Sequence, residues 1–325
     1  MSLFQSTEKF KIQLNGISPD NRFLSFDFYR GPTHYATLLD LHSGEFSKIV
    51  PPDPDEAWTD GYFSLSGKYL AFSVQRKSEN FRWGNLGLFD ISTATLKTLT
   101  HTQTLKGYPS FSPDEKRLIY AQPNRERESG RTRFAAWDIY ELDIDSGQGR
   151  RLTNYEFFSI GQPFYLPDGK RFIFSGGTPF RFLGKVGQEA VDAYEEKYQE
   201  NMIFILGQEA TELRPILTNG QYTTSPSISK DGKRIAYKAR SDHLDKEAGL
   251  PPTRGFGYDI FMLEDGHHRR LTKLKTYLHG MKMSPDGSLI AFVSDPERNG
   301  ENQLWLLDVA RNQLKRINIT AKNFI

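Results

Sequence analysis

Seven histidines and no cysteine set the terms for metal or nucleophile chemistry in this chain. Thiolate ligands, disulfides and a cysteine nucleophile are excluded, so a metal centre would have to use imidazole and carboxylate. Three neutral imidazoles around an open position would suit Mn, Fe or Zn acting as a Lewis acid, and the candidates are His34, His243 and His279. No two histidines share the close spacing of a metal motif, and His267-His268 reads as a solvated pair in a turn. Apart from that divalent metal, no cofactor is expected. Serine catalysis has less support, because the Gly-x-Ser-x-Gly elbow is missing. Gly255-Phe256-Gly257 lacks the strand-to-helix setting of a phosphate loop. The paired acids Asp53/Asp55, Glu195/Glu196 and Asp242/Asp245 sit in acidic surface stretches, where solvation explains them better than acid-base work does.

Any site must be held by the elements around it, and these repeat. Six segments share a turn followed by an apolar run: SPDNRFLSF, SLSGKYLAF, SPDEKRLIY, LPDGKRFIF, SKDGKRIAY and SPDGSLIAF. Their third residues are Asp20, Ser66, Asp114, Asp168, Asp231 and Asp286, spaced by 46, 48, 54, 63 and 55 residues. That is the period of a four-stranded propeller blade. Four residues past each anchor stands an apolar side chain (Leu24, Leu70, Leu118, Phe172, Ile235, Ile290), and six past it an aromatic one (Phe26, Phe72, Tyr120, Phe174, Tyr237, Phe292). Residues two apart on a strand share a face, and the residue between them is small or apolar in every copy, so both faces are expected to be buried. Apolar runs before and after each turn complete four strands per copy. The expected fold is all-β, a six-bladed β-propeller of four-stranded antiparallel blades at roughly residues 9–50, 57–100, 106–153, 160–218, 222–273 and 277–318, forming one domain over 1–325.

The repeat resembles that of TolB-like β-propellers, with a Ser-Pro-Asp-Gly turn, an Ile-Ala-Phe strand, an Asp-Ile-Tyr strand and a closing Arg-Arg-Leu-Thr. Asp138-Ile139-Tyr140 with Arg150-Arg151-Leu152-Thr153, and Asp259-Ile260-Phe261 with Arg269-Arg270-Leu271-Thr272, carry the resemblance most fully. It implies a fold rather than an activity, since the type includes the periplasmic Tol component, peptidase propeller domains and oligogalacturonate lyases. The lyase resemblance implies a His-bound metal in the propeller.

The repeat places the variable segments 29–35, 75–85, 124–136, 176–201 and 240–258 on one face, with only short turns on the other. Long connections on one side of a rigid scaffold are a usual place for binding. In the fourth copy, Val186, Ala190, Ala193, Tyr194 and Tyr198 recur at helical steps and predict one amphipathic helix, a cap over the blade edge or channel mouth or else a lid for a partner. The first strands line the axis, so candidate ligand-binding residues at the channel mouth are Trp58, Asp60, Lys106, Tyr108 and Gln162. Arg30, Arg76 and Arg240 recur about ten residues after the anchors, and could clamp an acidic ligand or pair with acids in nearby loops.

With 37% hydrophobic residues, 25% charged residues and 24 Phe, the chain is too apolar for disorder and too polar for a membrane bundle. A net charge of +2 exerts no general pull on nucleic acid, and no apolar stretch is long enough for a membrane span. The first residues, MSLFQSTEKFKIQL, lack the apolar core of a signal peptide. The expected compartment is cytoplasmic, or periplasmic if a leader has been removed. The expected function is a non-catalytic scaffold recognising a protein, peptide or glycan through its long-loop face and channel mouth. The alternative is a metal-dependent enzyme on acidic sugars, using His34, His243 and His279.

Overall fold

The computed structural model describes residues 10–31, 33–76, 84–126, 134–177, 202–207, 213–216, 223–240, 257–296 and 302–319. It contains six four-stranded antiparallel sheets, each built from four strands consecutive in the chain. The sheets run from Lys11–Ile17 to Phe46–Ile49, from Glu56–Phe63 to Thr95–Thr98, from Gly107–Phe111 to Gly149–Arg151, from Phe164–Tyr165 to Arg214–Pro215, from Thr223–Ile228 to His267–Arg270, and from Tyr277–Met283 to Gln313–Ile317. This is the six-bladed propeller expected from the repeat. The predicted helix around 186–198 lies outside the described residues.

The second strand of each blade is buried on both faces. Leu24, Phe26, Leu70, Phe72, Leu118, Phe172, Phe174, Ile290 and Phe292 are all at most 1% exposed, and so are the intervening Ala71, Ile119, Ile173, Ala236 and Ala291. Each blade is sandwiched between its neighbours, so its core is continuous with theirs. The seam between the first and last blades is of the same kind: Phe26, Phe28 and Leu39 share a cluster with Ala291, Val293 and Leu304. There the Asn302 side chain also accepts the backbone N–H of Ile12 at 2.9 Å. No described blade borrows a strand from the other end of the chain. Among the described residues, side-chain packing and a few hydrogen bonds join the first blade to the last.

The short turns form a second ring. In most copies the opening serine donates to the anchor carboxylate, as Ser229 does to Asp231 at 2.6 Å and Ser284 to Asp286 at 2.6 Å. The residue after each anchor is left-handed: Asn21 (φ 60°), Gly67 (74°), Glu115 (58°), Gly169 (64°), Gly232 (74°) and Gly287 (73°). Each turn then touches the next. Pro19 lies against Gly67, Pro113 against Gly169 and Pro167 against Gly232. Glu115 accepts from Ser66, Lys230 N–H donates to the Pro285 carbonyl at 2.6 Å, and Asn21 donates to Asp286 at 2.7 Å.

The Asp and the Arg-Arg-Leu-Thr of the repeat meet within a blade. Buried Asp138 accepts from Thr153 Oγ1 (2.6 Å), Tyr155 N–H (2.9 Å) and Arg151 (2.5 Å), and Asp259 does the same with Thr272 (3.0 Å), Leu274 N–H (2.6 Å) and Arg270 (2.5 Å). These motif residues therefore tie the fourth strand to the third, which is a structural task. The exposed fourth strands carry Lys48, Arg150, Lys315 and Arg316, charges that discourage edge pairing with another chain.

Two of the expected insertions are smaller than the repeat suggests. Segment 29–35 is a tight reversal, in which Arg30 pairs with Thr33 across Gly31 (φ 56°). In segment 124–136 the strands continue outward until Glu126 pairs with Phe134. Both are hairpins, because the backbone satisfies its own hydrogen bonds along the extension.

Candidate functional site

The first strands surround the axis and hold the candidate site. Three of them carry a bulge at the same step, six residues before the anchor, where two residues face one on the second strand. The residues that take up the extra length there are Asp60 (φ 61°), Tyr108 (φ 58°) and Ser225 (φ 55°). Opposite each bulge lies the large aromatic residue of the core, Phe72, Tyr120 or Tyr237, for which the kinked strand makes room. A Cβ on Gly61 would stand only 2.3 Å from the Phe72 ring, so the second bulge residue of that blade has to be glycine. The bulges turn polar side chains toward the axis.

The result is a cavity of about 410 Å³ on the face where the first strands begin. Every blade contributes to its lining, among others through Gln13, Asp60, Tyr108, Gln162, Ser225 and Lys282. Its floor follows from the residues four before each anchor: Gly16, Tyr62, Ser110, Phe164, Ser227 and Lys282. Small and large alternate around the ring, which lets three long side chains meet at the axis. The Tyr62 and Phe164 rings lie 5.2 Å apart, and the Lys282 ammonium stands 5.9 Å and 5.2 Å from their centroids. Both rings also line a second, more apolar cavity of about 100 Å³ on the turn side, so this layer partitions the axis.

The polar groups above the floor are interlocked. Asp60 accepts from Gln13 Nε2 at 2.6 Å, from the Tyr108 backbone N–H and, at 3.4 Å, from Thr59 Oγ1. Its own backbone N–H donates to Asp27 Oδ2 at 3.0 Å. Burial, and then the neighbouring Asp27 charge, push the Asp60 carboxyl up to about 7, although Lys282 pulls the other way. Lys282 donates to Gln162 Oε1, and burial brings its ammonium down to about 8. Burial and then Asp60 push the Tyr108 phenol up to about 12. The site therefore holds an acid and an amine that both change charge near neutral pH, beside neutral amides and phenols.

Of the residues singled out from the sequence, Asp60, Tyr108, Gln162 and His279 line this cavity together. Trp58 does not reach it. Its indole is 1% exposed, packs on Phe72 and lies over Gly87, where a Cβ would come within 2.7 Å of it. Strand alternation is the reason: Trp58 is two residues from Asp60, but the bulge between Thr59 and Tyr62 breaks the shared face. Lys106 is likewise turned away, donating to Thr102 and to Thr104 (2.5 Å) beside the neighbouring blade. Arg76 pairs with Asp53 (3.2 Å), Asp55 (3.8 Å) and Glu56 (3.8 Å) at the rim. Arg30 and Arg240 are half-buried at the ends of their second strands. The three arginines form no ring around the mouth.

His34 and His279 each face an acid of their own blade, Asp27 at 3.5 Å and Asp295 at 3.8 Å, and His243 lies outside the described residues. Among the described residues no three His, Asp or Glu side chains converge as a metal-binding set. Asp27, Tyr29 and Lys282 belong to the site without having been singled out from sequence. For Lys282 a signal existed, since it is the only charged residue in the column four before the anchors. Asp27 offered none, because it sits on a second strand, where nearly all its neighbours are core.

The fold and the axial cavity define a six-bladed β-propeller. No family profile and no curated protein matches the chain. Among solved structures it is similar to TolB from Acinetobacter baumannii (19% identity, TM-score 0.61, 95% of this chain and 63% of that one). It is also similar to an oligogalacturonate lyase in complex with manganese (15%, 0.60, 94% and 78%). A third is the β-propeller domain of the Trilobed protease from Pyrococcus furiosus, which has an open velcro topology (12%, 0.52, 95% and 99%). The chain thus spans less than two thirds of that TolB chain. At such identities the likeness establishes the fold and leaves the chemistry to the site.

Proposed function

We propose that this protein is a non-catalytic binding scaffold that takes a polar segment of a protein, peptide or glycan into its axial cavity. The observation that carries the reading is that every blade contributes to one cavity of about 410 Å³, lined by hydrogen-bonding and ionisable groups above an aromatic floor. That size and mixture suit recognition of a few polar groups. The likeness to TolB supports a scaffold, and no described helix is long and apolar enough to cross a membrane.

The test is a binding screen of the intact protein against peptide and glycan libraries, repeated with Thr224→Trp, which places an indole at the lining position of Thr224. Ligands of the cavity lose at least about tenfold in affinity in the variant, the loss of one or two well-made contacts. Ligands that bind both proteins equally would overturn the reading.

The alternative, a metal-dependent enzyme on acidic sugars, rests on the likeness to the manganese-bound lyase and on His34 and His279 together with His243. Stoichiometric Mn, Fe or Zn in the purified protein, lost in His279→Ala, would favour it over the scaffold.

A further inference from the structure

Lys282 is the charged residue of the floor column, and its side chain ends inside the ring rather than at the rim. It is surrounded by protein yet keeps part of its surface accessible, and that part faces the cavity it lines. Its ammonium is held by Gln162 Oε1 and by the faces of Tyr62 and Phe164, whose centroids are 5.9 Å and 5.2 Å away. None of these holders carries a charge. Among the described residues no carboxylate forms an ion pair with it, and Asp60 acts on it across the cavity through charge alone. The other groups packed around it leave this unchanged. Tyr62 and Tyr108 are kept protonated by burial, Lys11 and His279 stand at the mouth, and Asp259, Glu264 and Asp295 face Arg270, Arg234 and His279. Lys106 and Lys238 direct their ammonium hydrogens to threonine hydroxyls and to the Leu278 and His279 carbonyls, so Lys282 is the inward amine that a molecule deep in the cavity meets. An ammonium deprived of bulk water and of a paired counter-ion gives up its proton readily, and the neutral amine is a nucleophile.

We infer that Lys282 reversibly captures a small hydroxylated aldehyde or ketone, such as an open-chain sugar, as an imine on its Nζ at the floor of the axial cavity. This rests on the reading of the cavity as a ligand site and adds the bond by which it holds one class of ligand. The amine lone pair attacks the carbonyl carbon, a C–N bond forms and the C–O bond breaks. Two of the three ammonium hydrogens leave with the carbonyl oxygen as water, and the third remains on the iminium nitrogen. The charge opposite Asp60 is therefore the same before and after, and nothing is oxidised or reduced. Gln162 Oε1 can accept the remaining N–H, and the two ring faces attract an iminium as they attract the ammonium. The ligand's hydroxyls meet Gln13, Thr224 and Ser225 on the lining, in a cavity whose 410 Å³ suits a molecule of that size.

The experiment is reductive trapping on the intact protein with glyceraldehyde and, as the control without hydroxyls, propanal, each with cyanoborohydride from pH 6 to pH 10. Peptide mass mapping locates the labelled lysines. At pH 7 glyceraldehyde is expected to label Lys282 at least about tenfold faster than exposed lysines such as Lys97 and Lys315. An amine that titrates near 8 is about a tenth neutral there, and an ordinary lysine well under about a thousandth. The Lys282 rate levels off above about pH 8, while the exposed lysines keep gaining up to pH 10. Asp60→Asn removes the charge that favours the ammonium and moves that levelling to lower pH. The ratio of labelling at Lys282 to labelling at Lys97 is several-fold higher with glyceraldehyde than with propanal. These rates on the unaltered chain decide the matter even if the variant misfolds. The inference is overturned by labelling of Lys282 no faster than of Lys97, by a rate that keeps rising to pH 10, or by equal ratios for the two aldehydes. If Lys282 stays unlabelled while library ligands bind and are lost in Thr224→Trp, the inference falls and the scaffold reading stands. If those ligands are also indifferent to Thr224→Trp, both fall.

Discussion

Asp60 is where backbone, charge and cavity meet. Its left-handed backbone is the bulge that turns its side chain to the axis, and burial beside Asp27 moves its titration from 3.8 to about 7. The folded protein therefore binds a proton there over a range of pH in which the unfolded chain has lost it. Stability attached to this group is fully present below pH 4 and is lost as pH rises through about 7. Asp60→Asn, which cannot ionise, should accordingly gain on the unaltered protein across that window. Thermal unfolding at pH 5 and pH 8 checks this, and the gap between the two proteins is expected to be larger at pH 8. A gap independent of pH would show that the carboxyl is not titrating in the fold.

The turn and the bulge are the repeating devices at the scale of elements. Every turn needs one left-handed residue, and Glu115 fills that place (φ 58°) where four of the six copies have glycine. Its carboxylate compensates by accepting from Ser66 of the preceding blade. Replacing it separates the two effects. Glu115→Ala loses the tie and keeps the strain, while Glu115→Gly loses the tie and relieves the strain. The glycine variant should be the more stable by roughly 1 kcal/mol, the cost of left-handed backbone for a residue with a Cβ. Chemical denaturation of both variants measures the difference, and equal stabilities would mean that the turn relaxes around alanine. The turns were readable in sequence because Pro-Asp-Gly states its geometry locally. The bulges were not, since Trp58-Thr59-Asp60-Gly61 reads as an ordinary alternating strand until Phe72 is placed against Gly61.

For the whole molecule the decisive feature is that, among the described residues, the first and last blades meet through a packed core rather than a shared strand. The seam between the first and last blades carries the same kind of cluster as the other five, so it should behave as core. Phe26→Ala, at a position with 0% exposure, is expected to cost about 3–5 kcal/mol and to lower a single unfolding transition. Circular dichroism and calorimetry on one sample check both parts. A transition splitting in two would show blades that unfold independently.

The six-fold architecture and the burial of both faces of each second strand were legible in the chain, because turn chemistry and the alternation of Leu24 with Phe26 or Ile290 with Phe292 act over a few residues. Part of the site was legible for the same reason, since the step from anchor to axis is constant, and Asp60, Tyr108 and Gln162 do line the cavity. What only the tertiary structure decided was which way each first-strand side chain turns and what stands opposite it. It carried Trp58 into the core, paired Arg76 with rim acids, and brought Asp27 and Lys282 from blades at opposite ends of the chain to one axis. The physical reason is that a strand's period is a local property, whereas a bulge answers to an aromatic ring on the next strand, and charges interact across a centre that exists only once the ring has closed.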